Sequence, residues 1–167
     1  TEFFKRRYNM KTSEMQELLF ATLPMWHYHI AKPFKKLLDE GMSLDMYYCL
    51  QILRRNNDMM TMSELARWMR IPKQQMTKVV NKLIECEFAE RIYDSSDRRI
   101  IRLKITDKAI GYIDKFLSED AAYFKNMFDS MTAEDRLKFG EALNSINCIF
   151  EKMRPEDCPC CNSQQKR

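Results

Sequence analysis

A run of basic and amide side chains between residues 73 and 82 is the part of this sequence best suited to chemistry with a partner. Lysine and threonine can bind phosphate oxygens, and glutamine and asparagine can present paired donor and acceptor groups to adenine edges in a DNA major groove. The run consists of Lys73, Gln74, Gln75, Thr77, Lys78, Asn81 and Lys82. A solvated helix face has a similar composition, so the run alone leaves both interpretations open.

A polar segment from residue 94 to residue 99, DSSDRR, ends in two arginines and joins two apolar stretches. Arginine side chains at the tip of a hairpin can enter a narrow minor groove, where the electrostatic potential is most negative. Asp97 can hold Arg98 or Arg99 in place through a charge-assisted hydrogen bond. The segment is therefore predicted to be a second DNA contact, at the tip of a wing.

Cysteines cluster near residue 160, where Cys158, Cys160 and Cys161 supply half of the six in the chain. In a reducing compartment, such clustering favours metal or redox chemistry over structural disulfides. Three sulfur atoms so close together, without a second cluster, do not form a recognised zinc motif. A metal or thiol sensor and a flexible tail without a special role both remain open. Cys49 is predicted to be a buried, inert hydrophobic residue.

Other residue types give no sign of catalysis or of a bound cofactor. His27 and His29 lie two positions apart on a predicted helix and point to different faces, so they are poorly placed to share a metal. The sequence shows no paired carboxylates, glycine-rich phosphate loop or Ser-His-Asp set that would indicate an active site. We therefore predict that the protein is not an enzyme and has no cofactor.

The elements that present the basic run are two helices joined by a tight turn. Thr61 and Glu64 have the spacing of a capping box, so the first helix is predicted to begin near Met62. Pro72 suits the first position of a second helix, which is predicted to extend to about Cys86. The buried side of this second helix is predicted to consist of Met76, Val79, Val80 and Leu83.

Two strands are predicted to follow, one at 88–93 and one at 100–105. The second strand alternates apolar and basic residues, as in a strand with one buried face. Thr106 and Asp107 are predicted to cap the next helix. Two helices, a turn and a basic hairpin have the layout of a winged helix-turn-helix.

This order of motifs resembles the MarR family of multiple-antibiotic-resistance-type winged helix-turn-helix transcription regulators. The motifs are ELA at 64–66, Ile71, Thr77 with Val79 and Val80, ER at 90–91, DRR at 97–99 and Thr106-Asp107-Lys108. The resemblance implies a homodimer that binds palindromic operators in double-stranded DNA and often releases them when a small molecule or oxidant binds. The predicted DNA-contacting residues are Thr61, Lys73, Gln74, Gln75, Thr77, Lys78, Asn81, Lys82, Asp97, Arg98 and Arg99.

One position departs from the family pattern. The family usually has glycine after the recognition helix, where this chain has Glu87. A left-handed backbone conformation is unfavourable for a residue that carries a Cβ atom. The end of this helix is therefore expected to be built differently here.

Both ends of the chain carry long amphipathic patterns that one small lobe cannot bury. Residues 1–41 are interrupted by Pro24 and Pro33, which predicts a kinked helix or one that begins near Pro24. Residues 107–131 and 132–153 are predicted to form two further helices. Helical dimerisation through both chain ends follows from these unsatisfied apolar faces.

The predicted fold class is mainly α with a small β-hairpin wing. It comprises an N-terminal dimerisation segment at 1–41, a winged helix-turn-helix lobe at 42–106, dimerisation helices at 107–154 and a flexible Cys-rich tail at 155–167. The lobe is predicted to begin with a helix at 43–55. The apolar side of that helix is expected to be Leu44, Tyr47, Tyr48, Ile52 and Leu53.

Composition and charge agree with a mainly helical, DNA-binding chain. Only three glycines and five prolines occur in 167 residues. Residues 61–105 hold ten Lys and Arg against six Asp and Glu, so positive charge concentrates in the predicted lobe. No apolar run approaches the roughly 18 residues of a membrane span, and the first residues lack the apolar core of a secretion signal. We expect no membrane association and a cytoplasmic location.

The leading interpretation is a homodimeric DNA-binding repressor of MarR type that responds to a small molecule or oxidant. The resemblance places a ligand pocket between the dimerisation helices and the DNA-binding lobe. Its predicted lining residues are Trp26, Tyr28, Met46, Tyr47 and Trp68. The alternative is the same fold acting chiefly as a thiol-redox or metal sensor through its Cys-rich tail.

Overall fold

The computed structural model describes residues 10–93, 100–118 and 122–153. The chain divides into two compact units, Thr1–Gly41 and Met42–Arg167. The predicted fold class is confirmed, because the described ranges are mainly helical and carry one small antiparallel sheet.

The first unit contains helix α1 (Thr12–Trp26), a π-helical segment (His27–Ala31) and helix α2 (Lys32–Leu37). Pro24 lies inside α1. The expectation that a helix begins near Pro24 is therefore wrong, since the residues before it are already helical. None of the described side chains of these three segments is buried.

The second unit holds the remaining described elements. In chain order they are α3 (Leu44–Arg55), β1 (Met59–Thr61), α4 (Met62–Met69), α5 (Lys73–Glu85), β2 (Ala89–Tyr93), β3 (Ile101–Ile105), α6 (Asp107–Ser118), α7 (Ala122–Asp129) and α8 (Ala133–Lys152). The helix predicted at 107–131 is described as the two segments α6 and α7, and residues 119–121 between them lie outside the described ranges.

The sheet has three strands in the order β1-β3-β2, and both pairings are antiparallel. The two predicted strands are present, each starting one residue later than expected. Strand β1 was not predicted. It pairs Met60 with Leu103 of β3, so it is stabilised by a distant partner rather than by a pattern of its own.

The hydrophobic core lies entirely within the second unit. Every buried apolar side chain among the described residues falls between Met46 and Phe116. The predicted apolar stripe of α5 is confirmed, because all four of its members are buried. The predicted apolar side of α3 is confirmed in part. Leu53 is buried and Ile52 packs against the core, but Tyr48 is 44% exposed, and the other buried residues, Met46, Cys49 and Leu50, were not predicted on this side.

Candidate nucleic-acid interface

The start of α4 is fixed by a capping box between Thr61 and Glu64. The Glu64 backbone N–H donates to Thr61 Oγ1 at 3.2 Å, and the Thr61 backbone N–H donates to Glu64 Oε2 at 2.7 Å. The hydrogen bonds from the backbone and hydroxyl of Thr61 hold the pKa of the Glu64 carboxyl below its usual value. The structure therefore places Thr61, predicted to contact DNA, at a helix cap with its hydroxyl already engaged.

The turn between α4 and α5 is centred on Arg70, which has a left-handed backbone conformation with φ 53°. The Arg70 N–H donates to the Arg67 carbonyl and the Ile71 N–H to the Ala66 carbonyl, both at 3.2 Å. These two bonds form a Schellman motif, which satisfies the last carbonyls of α4. Pro72 had been predicted to be the first helical residue of α5. In the structure it is the N-cap instead.

The end of α5 uses the same motif, so the expectation of a different construction at Glu87 is wrong. Glu87 is left-handed with φ 60°. Its N–H donates to the Ile84 carbonyl at 2.9 Å, and the Phe88 N–H donates to the Leu83 carbonyl at 2.8 Å. Lys108 Nζ lies 2.8 Å from Glu87 Oε2 and lowers the pKa of that carboxyl. Glu87 therefore has an unfavourable left-handed backbone, and its side chain forms an ion pair with Lys108.

Thr106 connects this helix end to α6. Its hydroxyl donates to the Glu87 carbonyl at 2.8 Å and accepts from the Ala109 N–H at 3.3 Å. Its backbone N–H donates to the Phe88 carbonyl at 3.2 Å. The predicted cap at Thr106 is therefore present, and the same side chain joins two helices.

The face of α5 opposite its buried stripe carries the predicted DNA-contacting side chains. The exposed members are Lys73, Gln74, Gln75, Lys78, Asn81 and Lys82. Thr77 is half-buried, and its hydroxyl donates to the Lys73 carbonyl at 2.9 Å. At 3.6 residues per turn, these seven positions form one continuous arc around about half of the helix. The structure thus brings the whole run onto a single surface, without an acidic residue from Lys73 to Lys82.

Two amides in this arc have partners that sequence reasoning did not identify. Gln75 Nε2 donates to Asp45 Oδ2 in α3 at 3.2 Å. Arg91 Nη2 in β2 donates to Asn81 Oδ1 at 2.7 Å. Arg91 belongs to the ER motif, so the sequence drew attention to this residue but did not predict its contact with Asn81. No sequence signal pointed to Asp45.

The wing is formed by β2 and β3, which are paired from Ala89 with Ile105 to Tyr93 with Ile101. Tyr93, the last described residue before the tip, is 62% exposed. The predicted tip residues Asp97, Arg98 and Arg99 lie outside the described residues. The hairpin strands that flank the tip are nevertheless in place on both sides.

The predicted ligand-pocket residues occupy different environments. A cleft of about 500 Å³ in the second unit is lined by Ile52, Arg55, Asn56, Met60, Glu64, Arg67, Trp68, Asn147, Phe150 and Glu151. Of the predicted residues, Trp68 alone is among them. Met46 is in the core, and Tyr47 packs edge-on against Phe116 with ring centroids 5.7 Å apart. Trp26 and Tyr28 belong to the first unit and are exposed.

The described cysteines differ sharply in environment. Cys49 is buried, as predicted, and burial raises the pKa of its thiol to about 12, so the thiol is protonated at neutral pH. Cys86 and Cys148 are exposed. The tail residues Cys158, Cys160 and Cys161 lie outside the described residues. Within the described ranges, no group of three His, Cys, Asp or Glu side chains is arranged to hold a metal ion.

None of the helices in the described part of the chain is both long enough and apolar enough to cross a membrane.

Residues 40–100 match the MarR family. An uncharacterized HTH-type transcriptional regulator of Bacillus subtilis, YpoP, is 29% identical over 103 residues, which cover 62% of this chain and 72% of the relative. The fold is similar to that of MarR (TM-score 0.60, 20% identity, 83% of this chain and 98% of MarR covered). It is also similar to that of BldR from Sulfolobus solfataricus (TM-score 0.61, 23% identity, 86% and 99% covered). The matched family and the solved structures named here are those of transcriptional regulators.

Proposed function

We propose that this chain is a winged helix-turn-helix transcriptional regulator of MarR type, as the family match over residues 40–100 and the similar fold support, and that it binds a palindromic operator as a homodimer and represses transcription there. The observation that carries the proposal is the exposed arc of α5, where ammonium, amide and hydroxyl groups share one surface without a carboxylate between Lys73 and Lys82. In this proposal α5 enters the major groove, and Arg98 and Arg99 reach the flanking minor groove. Acting on DNA, the protein is expected to work in the cytoplasm.

The homodimer is supported by apolar side chains that the chain leaves exposed on its end helices. Phe20 in α1 and Leu137 in α8 are 65% and 64% exposed, respectively. An exposed apolar stripe on a long helix is typical of a surface that a second copy covers. A symmetric dimer presents two α5 helices, whose spacing must match about one turn of DNA, roughly 34 Å.

Lys78 offers a direct test, because it lies near the middle of the exposed arc. A duplex is first selected from a randomised library with the native protein, and its Kd is then measured at several salt concentrations with nonspecific competitor. Lys78→Ala should weaken binding about 10-fold and reduce the slope of log Kd against log salt by about 2 for a dimer, because each lysine releases about one counterion.

The matched control is Lys138→Ala in α8, where the lysine is paired with Glu134 at 2.6 Å outside the lobe. This variant should bind within about 2-fold of the native protein and keep its salt slope. Selection of no preferred sequence by the native protein, or equal losses in the two variants, would contradict the assignment of α5 as the recognition helix.

We further propose that the cleft beside Trp68 takes a small-molecule effector. An indole ring, apolar side chains and both signs of charge line the same cavity of about 500 Å³, which suits a small molecule with an apolar body and a polar group. The alternative route, oxidation or metal binding at Cys158, Cys160 and Cys161, remains a prediction from sequence. Hydrogen peroxide distinguishes the two: loss of DNA binding that is abolished when all three cysteines are replaced by serine would support the tail.

A further inference from the structure

Two amide side chains of α5 are held by residues from other elements, and neither partner belongs to the predicted DNA-contacting run. We propose that Asp45 and Arg91 are positioning residues that fix the amides of Gln75 and Asn81 and thereby set the base specificity of α5. This inference rests on the proposed function, because it concerns how α5 distinguishes one base pair from another.

Arg91 holds Asn81 through a charge-assisted hydrogen bond. Asn81 is exposed and lies near the middle of the α5 arc, beside Gln74 and Lys78 in the helical geometry. The guanidinium donates to Asn81 Oδ1 at 2.7 Å, and a charged donor makes such a bond stronger than a neutral one. Arg91 is the middle residue of β2, where it is paired with Leu103 of β3, so its backbone is fixed by the sheet. The bond engages the Asn81 oxygen and leaves its N–H donors for a base.

Asp45 holds Gln75 by the nitrogen of its amide, whereas Arg91 holds Asn81 by the oxygen. Gln75 lies at the edge of the exposed arc that adjoins the buried stripe. Its Nε2 donates to the carboxylate of Asp45 in the first turn of α3, at 3.2 Å. One N–H of the amide is therefore engaged, and the Gln75 oxygen is left to accept from a base.

The orientation of an amide decides what it can recognise. A free carboxamide can rotate by half a turn and exchange its donor and acceptor ends, so it discriminates poorly between base edges that differ in exactly those groups. A well-placed side-chain contact to a base discriminates by between about 5-fold and about 150-fold. Asp45 is informative here because a carboxylate close to DNA opposes binding to every sequence.

The test compares affinity for the library-selected duplex with affinity for each of its single-base variants. Asp45→Ala and Arg91→Ala should each lower discrimination about 3- to 10-fold at one position per half-site. Their effects on nonspecific affinity should have opposite signs, because Asp45→Ala removes a negative charge and Arg91→Ala a positive one. Asp45→Asn, which can still accept from Gln75, should restore discrimination. Adding Arg91→Ala to Asn81→Ala should cause no further loss of discrimination.

Lys104→Ala is the matched control, since this exposed lysine of β3 pairs with Glu90 of β2, at 3.9 Å, within the wing. It should alter affinity for all sequences equally. Changes that are equal for every sequence, a gain with Asp45→Ala and a loss with Arg91→Ala, with the same cost of Arg91→Ala in the Asn81→Ala background, would show that both act only through charge and would overturn the inference. A native protein that selects no preferred sequence would instead overturn the proposed function and this inference with it. Thermal unfolding of each variant verifies that the lobe is folded.

Discussion

The winged-helix lobe and the end helices treat their apolar side chains in opposite ways. In the lobe, Leu50, Leu65 and Leu103 are completely buried by neighbours from the same chain. On α1 and α8, several side chains of the same kind are more than half exposed, as in Leu18 at 55% and Leu137 at 64%. The lobe therefore has its own core, whereas these apolar side chains of the end helices are not covered within the single chain, which is what the proposed dimer would change.

Truncation of a leucine should have its largest effect in the lobe. Leu65→Ala removes a fully buried side chain and should lower the free energy of unfolding by about 2–5 kcal/mol, because it leaves a cavity in the core. Leu137→Ala should change it by less than about 0.5 kcal/mol in dilute, monomeric protein. Urea unfolding followed by circular dichroism measures both values. Similar losses in the two variants would remove the distinction between the regions.

Charge on α8 should separate the copies without unfolding the lobe. Ile146→Asp and Ile149→Asp place carboxylates on side chains that are 44% and 54% exposed in the single chain. In a symmetric dimer each substitution occurs twice. The dimer Kd of the double variant should therefore rise at least about 100-fold. Sedimentation velocity over a concentration series reports the change. The proposed role of the end helices in dimerisation would be contradicted if the double variant stays dimeric, or if the native chain is monomeric at every concentration tested.

A smaller effect is expected at the cap of α4. Thr61→Ala removes the hydroxyl that accepts from the Glu64 N–H and should lower the stability of the lobe by about 1 kcal/mol. Because the pKa of Glu64 is lowered in the folded state, its contribution is present above the unfolded pKa and is lost as pH falls through the folded value. The difference between Thr61→Ala and native protein should therefore shrink as unfolding is repeated at successively lower pH, through the folded-state pKa of Glu64. If the difference in unfolding free energy does not change with pH, the effect of the cap comes from the Thr61 hydroxyl accepting from the Glu64 N–H and not from the Glu64 carboxylate.

Features encoded by neighbouring residues could be predicted from the sequence. The capping box of α4, the tight turn before Pro72 and the buried stripe of α5 depend on residues a few positions apart, and the structure contains all three. The face of α3 was misassigned because two apolar stripes compete on that helix. Tyr47 and Tyr48 resemble core residues in sequence, yet Met46 and Cys49 are the ones buried in the core.

Features that depend on distant residues could not be predicted. Strand β1 has three residues and exists because β3 lies beside it. The same holds for the site. The α5 run was evident from residue types alone, whereas the contacts of Gln75 with Asp45 and of Asn81 with Arg91 join separate elements and have no local signature. Glu87 was misjudged because the Schellman motif at the end of α5 forms with a residue other than glycine in the left-handed position.

The hydrogen bonds of Thr106 have a mechanical consequence. One hydroxyl bridges the carbonyl at the end of α5 and an N–H in the first turn of α6, and the ion pair between Glu87 and Lys108 spans the same junction. The start of α6 is therefore bonded directly to the end of α5, and α6 is also paired with α3 through Arg54 and Asp114 at 2.7 Å. A displacement of α6 is expected to reach the recognition helix through this junction, without passing through the β2 and β3 strands that separate the two helices in sequence.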